Sequence, residues 1–132
     1  GGNVRAIGTK PGGQPWTAGV ENPWGDDPAY IQAIELADGD SLVISGDYQR
    51  YFEYDGVRYA HLIDLTTGCP ARYVSSVAVL AHADTGDLAD ALSTGLFCLP
   101  EETGQALAAQ NHYAVLWMHP DETTSRSADW PQ

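Results

Sequence analysis

Two Asp-Gly pairs, Asp38-Gly39 and Asp55-Gly56, each stand between runs of apolar or aromatic residues. Asp-Gly takes up the positive φ angles of a tight two-residue turn, so it is among the strongest short-range signals for a β-hairpin. These pairs commit their flanks to strands. Tyr30, Ala33, Ile34 and Leu36 form the run before the first, and Ser41-Leu-Val-Ile44 the return. Gln49 to Tyr54 alternates aromatic and polar residues, as a half-exposed strand does, and Val57 to Ile63 returns from the second pair.

The remaining segments extend the pattern. Asn3 to Thr9 reads as a short strand, and Lys10 to Pro15 as a turn rich in Gly and Pro. Trp16 to Val20 resumes extended structure, with Trp16 expected in the core, and Asp26 and Asp27 fall in a solvated loop. Ser45-Gly46-Asp47 is expected to interrupt its strand as a bulge or a point of close approach. Tyr73 to His82 carries Val74, Val77, Val79 and Leu80, the pattern of a central strand. Asp84 is placed as the N-cap of a helix running to about Leu99, with Asp87 in its first turn. Pro100-Glu-Glu102 opens a second helix. Tyr113 to Met118 is the last core strand, and Asp121 to Gln132 a polar tail with one late Trp130. Strands, then two helices, then a strand predict an α+β fold: a mainly antiparallel sheet with helices packed on one face.

At 132 residues the chain is one domain's length, and its 43% hydrophobic content is ordinary for a globular protein. Six Lys and Arg against 18 Asp and Glu give a formal charge of −12, which repels nucleic-acid phosphates and argues against that partner. Cys69 and Cys98 fit no zinc spacing; Cys98 reads as a small apolar packing group and Cys69 as part of a turn. His82, His112 and His119 lack motif partners and read as structural or solvated.

The stretch richest in chemistry is His61-Leu-Ile-Asp-Leu-Thr-Thr-Gly-Cys-Pro70. An imidazole, a carboxylate and hydroxyls meet at a strand end followed by a turn. On its own it is a surface hairpin that carries a histidine. Likewise, Asp90 and Thr94 share one face of the first helix, which alone is unremarkable.

Together these segments resemble a known family. His61-Leu-Ile-Asp64 with Thr67-Gly68 and Pro70 is similar to the H-I-I-D-P-x-T-G-x-P motif of ApbE-type flavin transferases. Ser45-Gly46-Asp47-Tyr48 resembles that family's T-S-G segment, with Ile44 in place of Thr. Ala89-Asp90-Ala91-Leu92-Ser93-Thr94 resembles its A-D-A-L-S-T helix, and Gly1-Gly2-Asn3-Val4-Arg5-Ala6-Ile7-Gly8 its G-G-D-I-R-A-x-G strand. Leu65 departs from the family's Pro, which loosens that turn.

The resemblance implies transfer of FMN from FAD to a Ser or Thr hydroxyl of a target protein, with AMP leaving. It implies Mg²⁺ held by Asp90 and Thr94, whose hard oxygens suit that ion when phosphates and waters complete its shell. His61 is the expected proton acceptor for the attacking hydroxyl, and Ser45, Gly46, His61, Ile63, Thr67 and Gly68 are expected to line the flavin or nucleotide pocket. Ser93 reads as a packing or helix hydrogen-bonding residue.

The same site used with water would be an FAD pyrophosphatase, and a third reading is a non-catalytic FAD-binding domain. The resemblance makes residues 1–132 a C-terminal portion, half of the family's fold. The expected partners are FAD, the target protein, and the N-terminal half of the same protein as a second chain. It also implies a periplasmic location or the outer face of a bacterial cytoplasmic membrane, any lipid anchor lying in that N-terminal half.

Overall fold

The computed structural model describes residues 2–132; Gly1, where the first motif begins, lies outside the described residues. The elements run β1 (Asn3–Arg5), β2 (Trp16–Glu21), β3 (Tyr30–Leu36), β4 (Ser41–Gly46), β5 (Tyr51–Tyr54), β6 (Val57–Ala60), β7 (Ile63–Asp64), β8 (Cys69–Pro70), β9 (Ser76–Ala81), α1 (Ala89–Phe97), α2 (Glu101–Asn111), β10 (Ala114–Met118) and β11 (Thr124–Arg126). The central sheet has five strands in the order β1-β4-β9-β10-β11, every neighbouring pair antiparallel. The fold is α+β, as the order of elements predicts.

The sheet is covered on both faces. Val43, Val77, Val79, Val115 and Trp117 pack with Leu96, Phe97 and Ala108 of the helices. The alternate residues Leu42, Ala78, Leu80, Leu116 and Met118 pack with Val20, Ile34 and Leu36 of the β2–β3 hairpin and with Trp130. Side chains alternate across a strand, so a strand covered on both faces is apolar at nearly every position. β9, Ser-Val-Ala-Val-Leu-Ala, is such a strand: it holds the centre of the sheet and all six residues are buried. Among the described residues no helix is long and apolar enough to cross a membrane.

Several expectations are corrected. Asp38-Gly39 makes a tight turn, with Gly39 at φ +89° and Asp40 N–H donating to the Ala37 carbonyl at 3.1 Å. Yet β3 and β4 do not pair, because β3 pairs with β2 and β4 with β1 and β9. The backbone after β1 takes the turn's hydrogen bonds instead: Ala6 N–H donates to the Asp40 carbonyl at 2.8 Å, and Gly39 N–H to the Ala6 carbonyl at 3.0 Å. The turn is therefore a crossover between sheets. Asp55-Gly56 is a true hairpin turn, both residues at positive φ, 51° and 73°. Its strand β5 is exposed at all four positions rather than half-exposed.

The first helix starts later than Asp84. Hydrogen bonds from Thr85 N–H to the His82 carbonyl and from Leu88 N–H to the Thr85 carbonyl hold residues 82–88 in successive turns. A Cβ on Gly86 would lie 3.0 Å from Ser41 Oγ, so this segment runs flush against the sheet. Leu88 occupies the N-cap position without a side-chain cap.

Trp16 is 42% exposed rather than in the core. The tail after Met118 is docked: β11 adds a sheet edge, Ser127 N–H donates to the Val115 carbonyl, and Trp130 is buried with its Nε1–H donating to Gln32 Oε1 at 2.9 Å.

Candidate active site

Three elements converge on one cleft of about 240 Å³. It is lined by Ile44, Ser45 and Gly46 of β4, by Tyr48, Gln49 and Arg50 after it, by His61 and Leu62 after β6, and by Asp90 and Thr94 of α1, with Gly2 and Asn3 completing the wall. A cleft of this size is below the roughly 300–1,000 Å³ of a whole small-molecule pocket.

Of the two readings of Ser45-Gly46-Asp47, close approach holds and a bulge does not: Ser45 and Gly46 stay in register with Val77 and Ser76, and β4 ends at Gly46. Ser76 Oγ–H donates to the Ser45 carbonyl at 3.1 Å and fixes the strand end. Glycine is needed at Gly46 because a Cβ there would overlap the Tyr48 ring. Tyr48 OH and Gln49 Nε2 both donate to Glu21 Oε2, at 3.1 and 3.2 Å, so β2 anchors this wall. Burial and the neighbouring Glu21 carboxylate push the Tyr48 phenol well above its ordinary range, which keeps it a neutral donor. Burial also pushes the Asp47 carboxyl up, against the pull of Arg58, 3.3 Å away.

His61 is exposed, and its Nδ1 lies 3.1 Å from the Arg50 carbonyl oxygen. A carbonyl only accepts, so Nδ1 carries the proton and donates. In the neutral ring the proton-free nitrogen is then Nε2. The His61 backbone N–H donates to the same carbonyl at 3.1 Å.

On α1, Asp90 and Thr94 stand exposed while Ser93 between them is buried. Ser93 Oγ–H donates to the Asp90 carbonyl at 3.0 Å. Ser45 Oγ lies 2.8 Å from Ser93 Oγ and 3.4 Å from Thr94 Oγ1. The expectation that Ser93 makes a helix hydrogen bond is met, and the contact with Ser45 is additional.

The cleft therefore gathers Ser45, Gly46, His61, Asp90 and Thr94 from the expected set. It does not gather Ile63, Thr67 or Gly68. These sit in the β7–β8 hairpin, which folds back beside it: Gly68 N–H donates to the Asp64 carbonyl and Ala71 N–H to the Leu62 carbonyl. Asp64 organises that hairpin. Its Oδ1 accepts from Thr66 N–H at 2.8 Å and its Oδ2 from Tyr73 OH at 2.9 Å. Those bonds, Thr66's first and then Tyr73's, hold the Asp64 carboxyl below its ordinary value. Gln49 and Arg50 line the cleft without having been singled out in the sequence, and Tyr48 and Leu62 were read only as members of their motifs; proximity to Gly46 and His61 was the available signal.

Among the described residues no three His, Cys, Asp or Glu side chains cluster as a metal cage. What α1 offers is one carboxylate and one hydroxyl facing an open cleft. That donor set fits Mg²⁺, which keeps several ligand positions for water and phosphate oxygens. It does not fit a closed structural metal site.

The geometry is that of an α+β domain whose sheet end and first helix frame an open cleft lined by hydroxyl, carboxylate and imidazole groups. Residues 1–117 match the ApbE family, and the chain belongs to it. Over 117 residues it is 44% identical to the FAD:protein FMN transferase of Vibrio cholerae serotype O1, an alignment covering 88% of this chain and 34% of that protein. Identity to the Haemophilus influenzae FAD:protein FMN transferase is 40%, over 87% of this chain and 33% of that one. The crystal structure of the ApbE protein of Thermotoga maritima superposes with a TM-score of 0.81 at 42% identity, covering 97% of this chain and 41% of the other. The Vibrio cholerae flavin transferase ApbE gives 0.78 at 37% identity. This chain thus spans about a third of the curated relatives' length, less than the half expected from its motifs.

Proposed function

We propose that this chain carries the phosphoryl-transfer wall of an FAD:protein FMN transferase. FMN passes from FAD to a Ser or Thr hydroxyl of a target protein, and AMP leaves. The observation that carries this reading is the convergence of His61, Asp90 and Thr94 on one cleft, although 29 positions separate His61 from Asp90.

Each group has a role its geometry allows. With Nδ1 committed to the Arg50 carbonyl, His61 Nε2 accepts the proton of the acceptor hydroxyl. The acceptor oxygen forms a bond to the FMN phosphorus as the bridging P–O bond of FAD breaks, and the electron pair leaves with AMP. Asp90 and Thr94 would hold Mg²⁺, which when bound offsets the charge of the diphosphate. Ser45 and Gly46 supply a polar, close-fitting floor, and Tyr48 and Gln49 are held rigid by Glu21. The rest of the pocket belongs to sequence that the relatives carry outside the matched third.

The test is incubation with FAD, Mg²⁺ and a Ser/Thr acceptor peptide. It is run on the chain alone and together with the remaining length of a relative. Flavin on the peptide with release of AMP is the expected result. Free FMN without peptide labelling would assign a pyrophosphatase, and intact bound FAD a binding domain; either overturns the transferase reading.

A further inference from the structure

We infer that Ser93 is a positioning residue that, through Ser45, keeps the lone pairs of Thr94 free for a cation. The inference rests on the metal reading of Asp90 and Thr94 above, and it follows from counting protons along three hydroxyls.

A serine hydroxyl has one proton to donate and two lone pairs to accept with. Ser93 spends its proton on the Asp90 carbonyl, 3.0 Å away, which can only accept. The 2.8 Å contact between Ser93 and Ser45 must then be a donation from Ser45 to Ser93. Ser45 has no proton left for Thr94, 3.4 Å away, and can only accept from it. The proton order runs from Thr94 to Ser45 to Ser93 to the Asp90 carbonyl. Thr94 Oγ1 is therefore left with both lone pairs, on an exposed side chain at the cleft wall. A metal ligand needs such a lone pair, and a threonine that accepted from Ser45 would have one fewer.

The buried end of the chain sets this polarity. Ser93 is fully buried, and its partner is a backbone carbonyl of the same helix turn, a bond that forms with the helix itself. Removing the Ser93 hydroxyl frees the Ser45 proton, whose remaining neighbour is Thr94. Ser93 touches no ligand and acts through Ser45.

The experiment titrates Mn²⁺, standing in for Mg²⁺, into the full chain with FAD present, and reads free Mn²⁺ by electron paramagnetic resonance. Ser93→Ala should weaken Mn²⁺ binding about fivefold, the size of one redirected hydrogen bond. Ser93→Cys, a weaker acceptor of similar size, should weaken it in the same direction. In a Ser45→Ala background there is no proton to redirect, so adding Ser93→Ala should change nothing further. Equal weakening by Ser93→Ala in both backgrounds would assign Ser93 a packing role and overturn the inference, as would unchanged binding in the single variant. Asp90→Ala separates the two levels. If it abolishes Mn²⁺ uptake while Ser93→Ala has no effect, only the relay fails. If it binds Mn²⁺ like the parent, the metal reading fails and the relay with it.

Discussion

At the scale of single residues, the cleft separates charge from geometry. Asp90 brings the one carboxylate of the proposed cation site, and Thr94 a neutral oxygen. Asp90→Ala should cut FAD turnover by about 100-fold or more and Thr94→Ala by about 10-fold, both with melting temperatures near the parent's, since both side chains are exposed. AMP release at saturating Mg²⁺ measures this; a larger loss at Thr94 than at Asp90 would give the hydroxyl another role. His61→Ala should lower transfer to the acceptor by about 100-fold while FAD affinity changes little, because the ring's free nitrogen is assigned to the proton and not to the flavin. A proportional fall in both would make His61 a binding contact. Gly46→Ala should push Tyr48 into the cleft and weaken FAD binding, readable by flavin fluorescence titration.

At the scale of elements, the β7–β8 hairpin shows how a motif residue serves structure. Asp64 belongs to the most recognisable stretch of the sequence, yet its carboxylate is buried and spent on Thr66 and Tyr73. Its folded pKa is depressed below the ordinary 3.8. The stabilisation is therefore fully present above that ordinary value and is lost as pH falls through the lower folded value. Asp64→Asn should lower the melting temperature at pH 7, and the gap between the two proteins should close as pH falls well below 3.8. A gap that persists unchanged into strong acid would show that shape, not charge, holds the hairpin.

Local turn chemistry was legible where a turn closes on its own strands, as at Asp55-Gly56. It misled at Asp38-Gly39, where the residues chose a tight turn but tertiary pairing chose the partners. The late start of α1 has a similar cause: Asp84 has the right side chain for a cap, but packing against the sheet delays the helix. The exposed faces of Thr67 and Gly68 also lay beyond sequence reading, because nothing local says which way a two-strand hairpin leans.

At the scale of the molecule, the central sheet was legible because β9 and β10 are apolar at successive positions, which only two-sided burial rewards. What covers the second face was not. The β2–β3 hairpin and a tail that reads as polar share that task, and Trp130 closes it. Trp130→Ala should cost about 3–5 kcal/mol, as for a buried large aromatic. Chemical denaturation measures it, and a change below about 1 kcal/mol would mean the tail is not part of the core. The candidate site residues came from motif, not from periodicity. Their meeting depends on β4 pairing with β9 and on α1 lying against both strands.

That arrangement has a consequence for the order of events on the ribosome. The cleft wall draws on residues from Gly2 to Thr94, and its two proposed reactive parts, His61 and Asp90 with Thr94, face each other only after α1 has docked. A nascent chain that ends before α1 owns the Ser45 floor and the histidine but neither cation ligand. It has also not completed the sheet, since β10, which pairs with β9, and the edge strand β11 emerge later still. Contacts so distant in sequence form late, since the intervening loop must be closed first. FAD in the proposed reaction would therefore meet an open surface early in synthesis, and the proposed chemistry would wait until α1 has docked on β4 and β9.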